Sequence, residues 1–152
     1  MKYPEYLSSA RRHNHACRVL KARIDSLDVE EGLEEYNYLV SSLYYLSGYI
    51  IECAMKYKIF ELCQYSLEVE VDEAECEKVG IDYKKRIKTH NFNKLQNYLD
   101  SLISGLSHSS DDKEINKLLQ NWTPELRYSY CELNYKKIEE LYNHTTRYLK
   151  KV

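Results

Sequence analysis

Glycine and proline are scarce, four and two residues in a chain of 152. So few breaks argue against many short strands joined by tight turns and favour long helices. The five cysteines (Cys17, Cys53, Cys63, Cys76 and Cys131) are odd in number and never spaced C-x-x-C, which argues against a disulfide framework and a zinc site. The amino terminus has no cationic stretch followed by an apolar run, so no signal peptide is expected. The longest apolar stretch is interrupted by Ser, Gly, Glu and Lys, too polar for a lipid-facing span. A reducing cytoplasm is the expected setting, with no membrane association. The net charge is only −2, so nucleic acid would need a local basic patch rather than a global field. A Gly-rich phosphate loop, H-E-x-x-H, G-x-S-x-G and a clustered Asp/His set are all missing, and neither metal nor cofactor is expected.

What is present is helical periodicity. Between residues 39 and 60, Leu39, Leu43, Leu46, Ile50, Cys53, Tyr57 and Phe60 recur at spacings of four and three, one face of a helix. Val40, Tyr44, Ser47, Ile51, Ala54 and Met55 form an adjoining apolar or small-residue face, so most of the circumference is fit for burial. This predicts a long central helix over about 33–65, within one domain spanning 1–152. Gly48 lies in its middle beside Ser41, Ser42 and Ser47, where a bare backbone suits close approach of a neighbour. The sixteen tyrosines, many at helical spacing, read mainly as core rings with polar tips.

Ahead of this helix, Pro4 opens another through Leu7, Ala10, His13/Asn14, Cys17 and Ile24, with a turn over 25–32. His13 and Asn14 fall where that stripe should be apolar and call for an internal hydrogen bond or a polar cavity; Arg11 and His15 read as solvated. Beyond the central helix, the acidic stretch 68–77 reads as an exposed connection and 82–88 as a basic run. A third helix carries Leu95, Tyr98/Leu99 and Leu102, capped by Asn91 or Asn93, and 104–112 reads as a loop. A short helix over 114–120 precedes W-T-P-E-L-R-Y-S, where Thr123 caps and Pro124 opens a last helix running to about Lys150. The architecture expected is an all-α bundle.

Three groups of polar residues could carry chemistry. Glu52 and Lys56, four apart with Glu first, share an arc of the central helix with Tyr45 and Tyr49. They are either an exposed helix pair or a partly desolvated one, tolerable only if hydrogen-bonded. Arg86 and His90 would share a helical face, a cation beside a group that titrates near neutrality, which is the equipment of metal-free RNA cleavage; the alternative is a solvated patch of Lys84, Lys85, Arg86 and Lys88 with His90 at a helix start. Arg127, between Trp122 and Tyr128, reads as a more buried guanidinium able to fork onto a carboxylate such as Glu52, or onto a phosphate.

The segments Y-L-S-G-Y-I-I-E-C-A-M-K (45–56), K-T-H-N-F-N-K-L (88–95) and W-T-P-E-L-R-Y-S (122–129) resemble HEPN-domain proteins, small helical domains of prokaryotic defence and toxin–antitoxin systems. The resemblance implies an up-and-down bundle of four to five helices, usually dimeric, associated with RNA or nucleotides and with an antitoxin or defence partner. It also implies that Glu52, Lys56, His90 and Arg127 fall on recurring polar positions, with Tyr49 and Tyr128 as neighbouring binding residues. Ribonuclease members carry Arg, then about four to six residues, then His on a late helix. None of the seven Arg here has that spacing, since Arg86–His90 and Arg11–His15 enclose only three residues. The expectation is therefore an RNA- or nucleotide-associated domain without efficient standard RNase catalysis. The alternatives are a metal-independent endoribonuclease built on Arg86 and His90, or a purely structural dimerisation and partner-binding module. A homodimer is expected in each case, because the central helix has more apolar surface than so small a bundle should cover.

Overall fold

The computed structural model describes residues 1–129 and 132–152. Cys131 lies outside the described residues. Helix α1 (Pro4–Ser26) starts with Pro4 in its first turn, and the Glu5 side chain reaches back to the Lys2 amide at 2.7 Å. It packs along α2 (Leu33–Leu62) through Ala10, Cys17 and Ile24, a buried seam repeating every two turns. Asn14 resolves its awkward place on this seam by bonding: its carbonyl accepts from the Tyr142 hydroxyl and its Oδ1 from the Thr146 hydroxyl at 2.9 Å. Arg11 and His15 are exposed.

Helix α2 is the axis of the molecule, with α1, α4 and α6 packed around it. It ends three residues before the sequence suggested, because Gln64 takes a left-handed conformation (φ 53°) that no right-handed helix can continue. Both predicted apolar faces turn into the core, with Leu43, Ile50, Ile51, Met55 and Phe60 fully buried and Leu39, Leu46 and Tyr57 half-buried. One chain therefore covers most of α2 by itself. Its large exposed apolar residues are confined to the amino-terminal end, at Leu33 and Tyr38.

The acidic stretch is not a bare connection. The Asp72 side chain accepts from the Glu75 amide and starts a short helix, α3 (Glu73–Lys78), whose Cys76 is buried. The basic run follows as a single π-helical turn, Tyr83–Ile87, anchored by buried Ile87. Asn91 caps α4 (Phe92–Leu102) through the Lys94 amide at 2.9 Å. Asp112 caps α5 (Lys113–Asn121), and a 3-10 turn follows at Pro124–Tyr128. The last helix does not begin at Pro124 as expected. Thr123 makes no capping bond, the turn stops at Ser129, and α6 (Tyr135–Leu149) has its own cap in Asn134, whose Oδ1 accepts from the Lys137 amide. Every regular element among the described residues is helical, with one isolated bridge between Lys2 and Glu70. No helix among them is long and apolar enough to cross a membrane.

Gly48 has the role its setting suggested. A Cβ built there would lie 2.1 Å from the ring of Trp122. The indole occupies that space and donates from Nε1 to the Tyr45 carbonyl at 3.0 Å, pinning the end of α5 to the middle of α2.

Candidate functional site

The arc Tyr45, Tyr49, Glu52 and Lys56 runs up one side of α2, and its charged end is buried: Glu52 is 4% exposed and Lys56 7%. A carboxylate so far from water needs its oxygens occupied. Lys56 Nζ donates to Oε1 at 2.8 Å, and His90 Nδ1 stands 2.8 Å from Oε2. An ionised carboxylate only accepts, so His90 must carry its proton on Nδ1 and turn Nε2 outward. Lys56 balances the charge of Glu52. The His90 side chain is 54% exposed, and the buried pair thus fixes the tautomer and orientation of a ring that solvent can reach.

The surroundings are aromatic. Tyr49 is the hub, edge-on to Trp122 and to Tyr45 at 5.0 Å each, with His13 at 5.5 Å and His90 at 6.4 Å between ring centroids. The Tyr6 ring covers Lys56, with Nζ 5.9 Å from its centroid. Burial first, then the Glu52 charge, pushes the Cys53 thiol up to about 11, so this cysteine is an inert core group. Burial followed by the Arg12 charge lowers the pKa of His13, against a smaller opposing pull from Glu52.

On its outer side His90 opens onto a cavity of about 210 Å³ whose lining includes Asn91, Asn93, His108, Gln120 and Trp122. His108 is buried on the loop between α4 and α5 and held by Gln96 of α4. The Gln96 amide nitrogen donates to Asp100 Oδ1 and to the Leu106 carbonyl, while Oε1 accepts from the His108 amide and from its ring Nδ1, both at 2.9 Å. Burial, and then the nearby His144, lower the His108 pKa to about 4. Sequence reasoning missed both residues. The available signal was Gln96, a polar side chain on the buried stripe that Leu95 and Leu99 define.

The other predicted residues are placed elsewhere. Arg86 lies over the Tyr98 ring at 4.9 Å and lines a separate groove with Lys85, Lys94 and Asn97, whereas His90 turns to Glu52. Arg127 is exposed rather than buried and lies 4.6 Å from the ring centroid of Tyr128, itself 78% exposed. Glu52 has Lys56 and His90 as its partners, and Arg127 instead borders a groove of about 450 Å³ with Tyr38, Ser41, Ser42 and Tyr45. The guanidinium stays at the surface because the 3-10 turn buries none of its residues and leaves 127–129 outside the core. Among the described residues no group of three or more His, Cys, Asp or Glu is arranged to hold a metal ion. No family model, curated protein or solved structure matches the chain.

Proposed function

We propose that the chain is an RNA- or nucleotide-binding helical domain of the HEPN kind, serving a prokaryotic defence or toxin–antitoxin system, with His90 as the centre of its binding site. The observation that carries this reading is the Glu52–His90 contact of 2.8 Å, in which a buried, charge-balanced carboxylate orients an accessible imidazole. A ring held so, beside aromatic groups and a polar cavity, suits a ligand with both a phosphate and a flat base. Lys85, Arg86 and Lys94, around the neighbouring groove, supply cations for further phosphates of a single strand. Arg127 adds a guanidinium fork on the Tyr45 side.

The same contact favours a second reading, a metal-independent endoribonuclease. A carboxylate-oriented imidazole with its outer nitrogen free is the arrangement of a general base, here for a ribose 2′-hydroxyl. In that reading His90 works with Glu52 rather than with Arg86. A second copy of the chain, in either reading, would pack on the face formed by Leu33, Tyr38 and Tyr128, where apolar and aromatic side chains are exposed.

Fluorescence anisotropy with labelled single-stranded RNA in EDTA tests both readings at once. Wild type should bind with an affinity that falls as salt rises, and His90→Ala should bind at least tenfold more weakly with its fold intact. Cleavage lost in His90→Ala would select the nuclease reading. Absence of binding to RNA and to mononucleotides would overturn the proposal.

A further inference from the structure

We propose that the cavity between His90 and His108 is a nucleobase pocket that selects bases presenting an N–H donor, such as an exocyclic amino group, with His108 as the residue that reads it. This rests on the nucleotide-binding reading above and adds a ligand class to it.

Gln96 sets the chemistry of the pocket by orienting His108. Its amide orientation is set by two acceptors, Asp100 Oδ1 at 2.7 Å and the Leu106 carbonyl at 2.8 Å, both of which require the nitrogen. The oxygen therefore faces His108, where it accepts from the backbone amide and from ring Nδ1. This forces the proton of the neutral ring onto Nδ1 and leaves Nε2 with a lone pair. His108 is 6% exposed, its burial keeps it uncharged at neutral pH, and among the described residues its only hydrogen-bonded side-chain atom is Nδ1. A nitrogen of this kind is an obligatory acceptor. It repels a carbonyl or phosphate oxygen and rewards an N–H donor.

The rest of the cavity is suited to a base. Its volume of about 210 Å³ is below the range of sites for drug-sized ligands and fits one flat base. Phe92 and Trp122, stacked on each other at 4.9 Å and almost fully buried, back its lining. The exposed amides of Asn93 and Gln120 stand at the rim, and His90 lies at the mouth, where the sugar and phosphate of a bound nucleotide would emerge. The Asn116 amide is already used, holding Ser110 through both its atoms, so the reading falls to His108.

Calorimetry on the full chain with AMP, purine riboside 5′-monophosphate (the same nucleotide without its amino group) and 2′-deoxy-AMP tests this. AMP and 2′-deoxy-AMP should bind alike, and the purine nucleotide about tenfold more weakly or worse, because it leaves the buried acceptor unmatched. His108→Phe should bring AMP down to the purine level. If that variant does not fold, the ¹⁵N resonance of His108 Nε2 in wild type should move with AMP and stay still with the purine nucleotide. Equal binding of AMP and the purine nucleotide overturns base reading while leaving nucleotide binding in place. A loss confined to 2′-deoxy-AMP would assign the contact to the sugar and overturn it too. Binding of none of the three nucleotides overturns the pocket, and the domain-level reading falls with it only if single-stranded RNA also fails to bind.

Discussion

Glu52 and Arg127 both place a charged side chain among aromatic rings beside α2, and the two settings share Tyr49 as a neighbour. Glu52 is buried, bonded on both oxygens and unable to change partners without exposing a charge to the core. Arg127 is exposed, against a Tyr128 ring that is itself exposed and with the Tyr45 hydroxyl as a surface partner, and can swing away at little cost. The difference teaches that a charged side chain among aromatic rings makes a positioning device in one place and an adaptable contact in the other. Burial, not composition, decides which. The ordered ring of His90 belongs to the first kind and the guanidinium fork to the second.

Removing the centre of the buried setting should have the largest effect. Glu52→Ala leaves Lys56 charged and unpaired inside the protein and should cost about 3–5 kcal/mol in a denaturant melt. A loss of a few tenths would mean that the pair behaves as a surface one.

Acidification acts on the same side of the comparison. His108 has its pKa lowered from 6.5 to about 4, and burial also lowers His13 and His144. The unfolded chain therefore binds more protons than the native one between these values, so the contribution to stability is complete above about 6.5 and lost as pH falls towards 4. For His108 alone it amounts to up to about 3 kcal/mol, read from melts across that range. A stability that is flat from pH 7 to 4.5 would contradict the buried, neutral state of this ring.

Gly48→Ala tests the joint between the two settings, since Trp122 bonds the carbonyl of Tyr45 from the space a Cβ would take. The loss should be about 1–3 kcal/mol, with red-shifted emission from the single tryptophan as it moves into water. At the exposed setting, Arg127→Ala should change stability by less than about 0.5 kcal/mol while weakening RNA binding. A large destabilisation there would erase the contrast between the two.

Much of this was legible in advance, and the limits have physical causes. The spacing of four and three along α2, a cap at Asn91 or Asn93 and the bare backbone of Gly48 are local signals, and the fold carries each, with the cap at Asn91. The Glu52–Lys56 pair could be located, but its burial depended on what packed over it. The partner His90 was visible as a residue and not as a contact, because α3 and the π-helical turn intervene between it and α2. The burial of Trp122 against Gly48 likewise hid the outward turn of Arg127, a neighbour in sequence but not in environment. The Asp72 cap was a readable helix start lost among acidic neighbours. His108 is set by Gln96 across a loop, and only the misplaced polarity of Gln96 on an apolar stripe hinted at it.

The central claim is that a buried carboxylate presents the outer nitrogen of His90 to a nucleotide or RNA ligand. Imidazole ¹⁵N spectra of the wild-type chain, recorded with and without single-stranded RNA, test it most directly. The account predicts that His90 carries its proton on Nδ1 in the free protein and that its Nε2 resonance moves on addition of RNA. RNA that binds while both His90 nitrogens stay unchanged, with shifts confined to the amides of Lys84, Lys85 and Lys88, would contradict it.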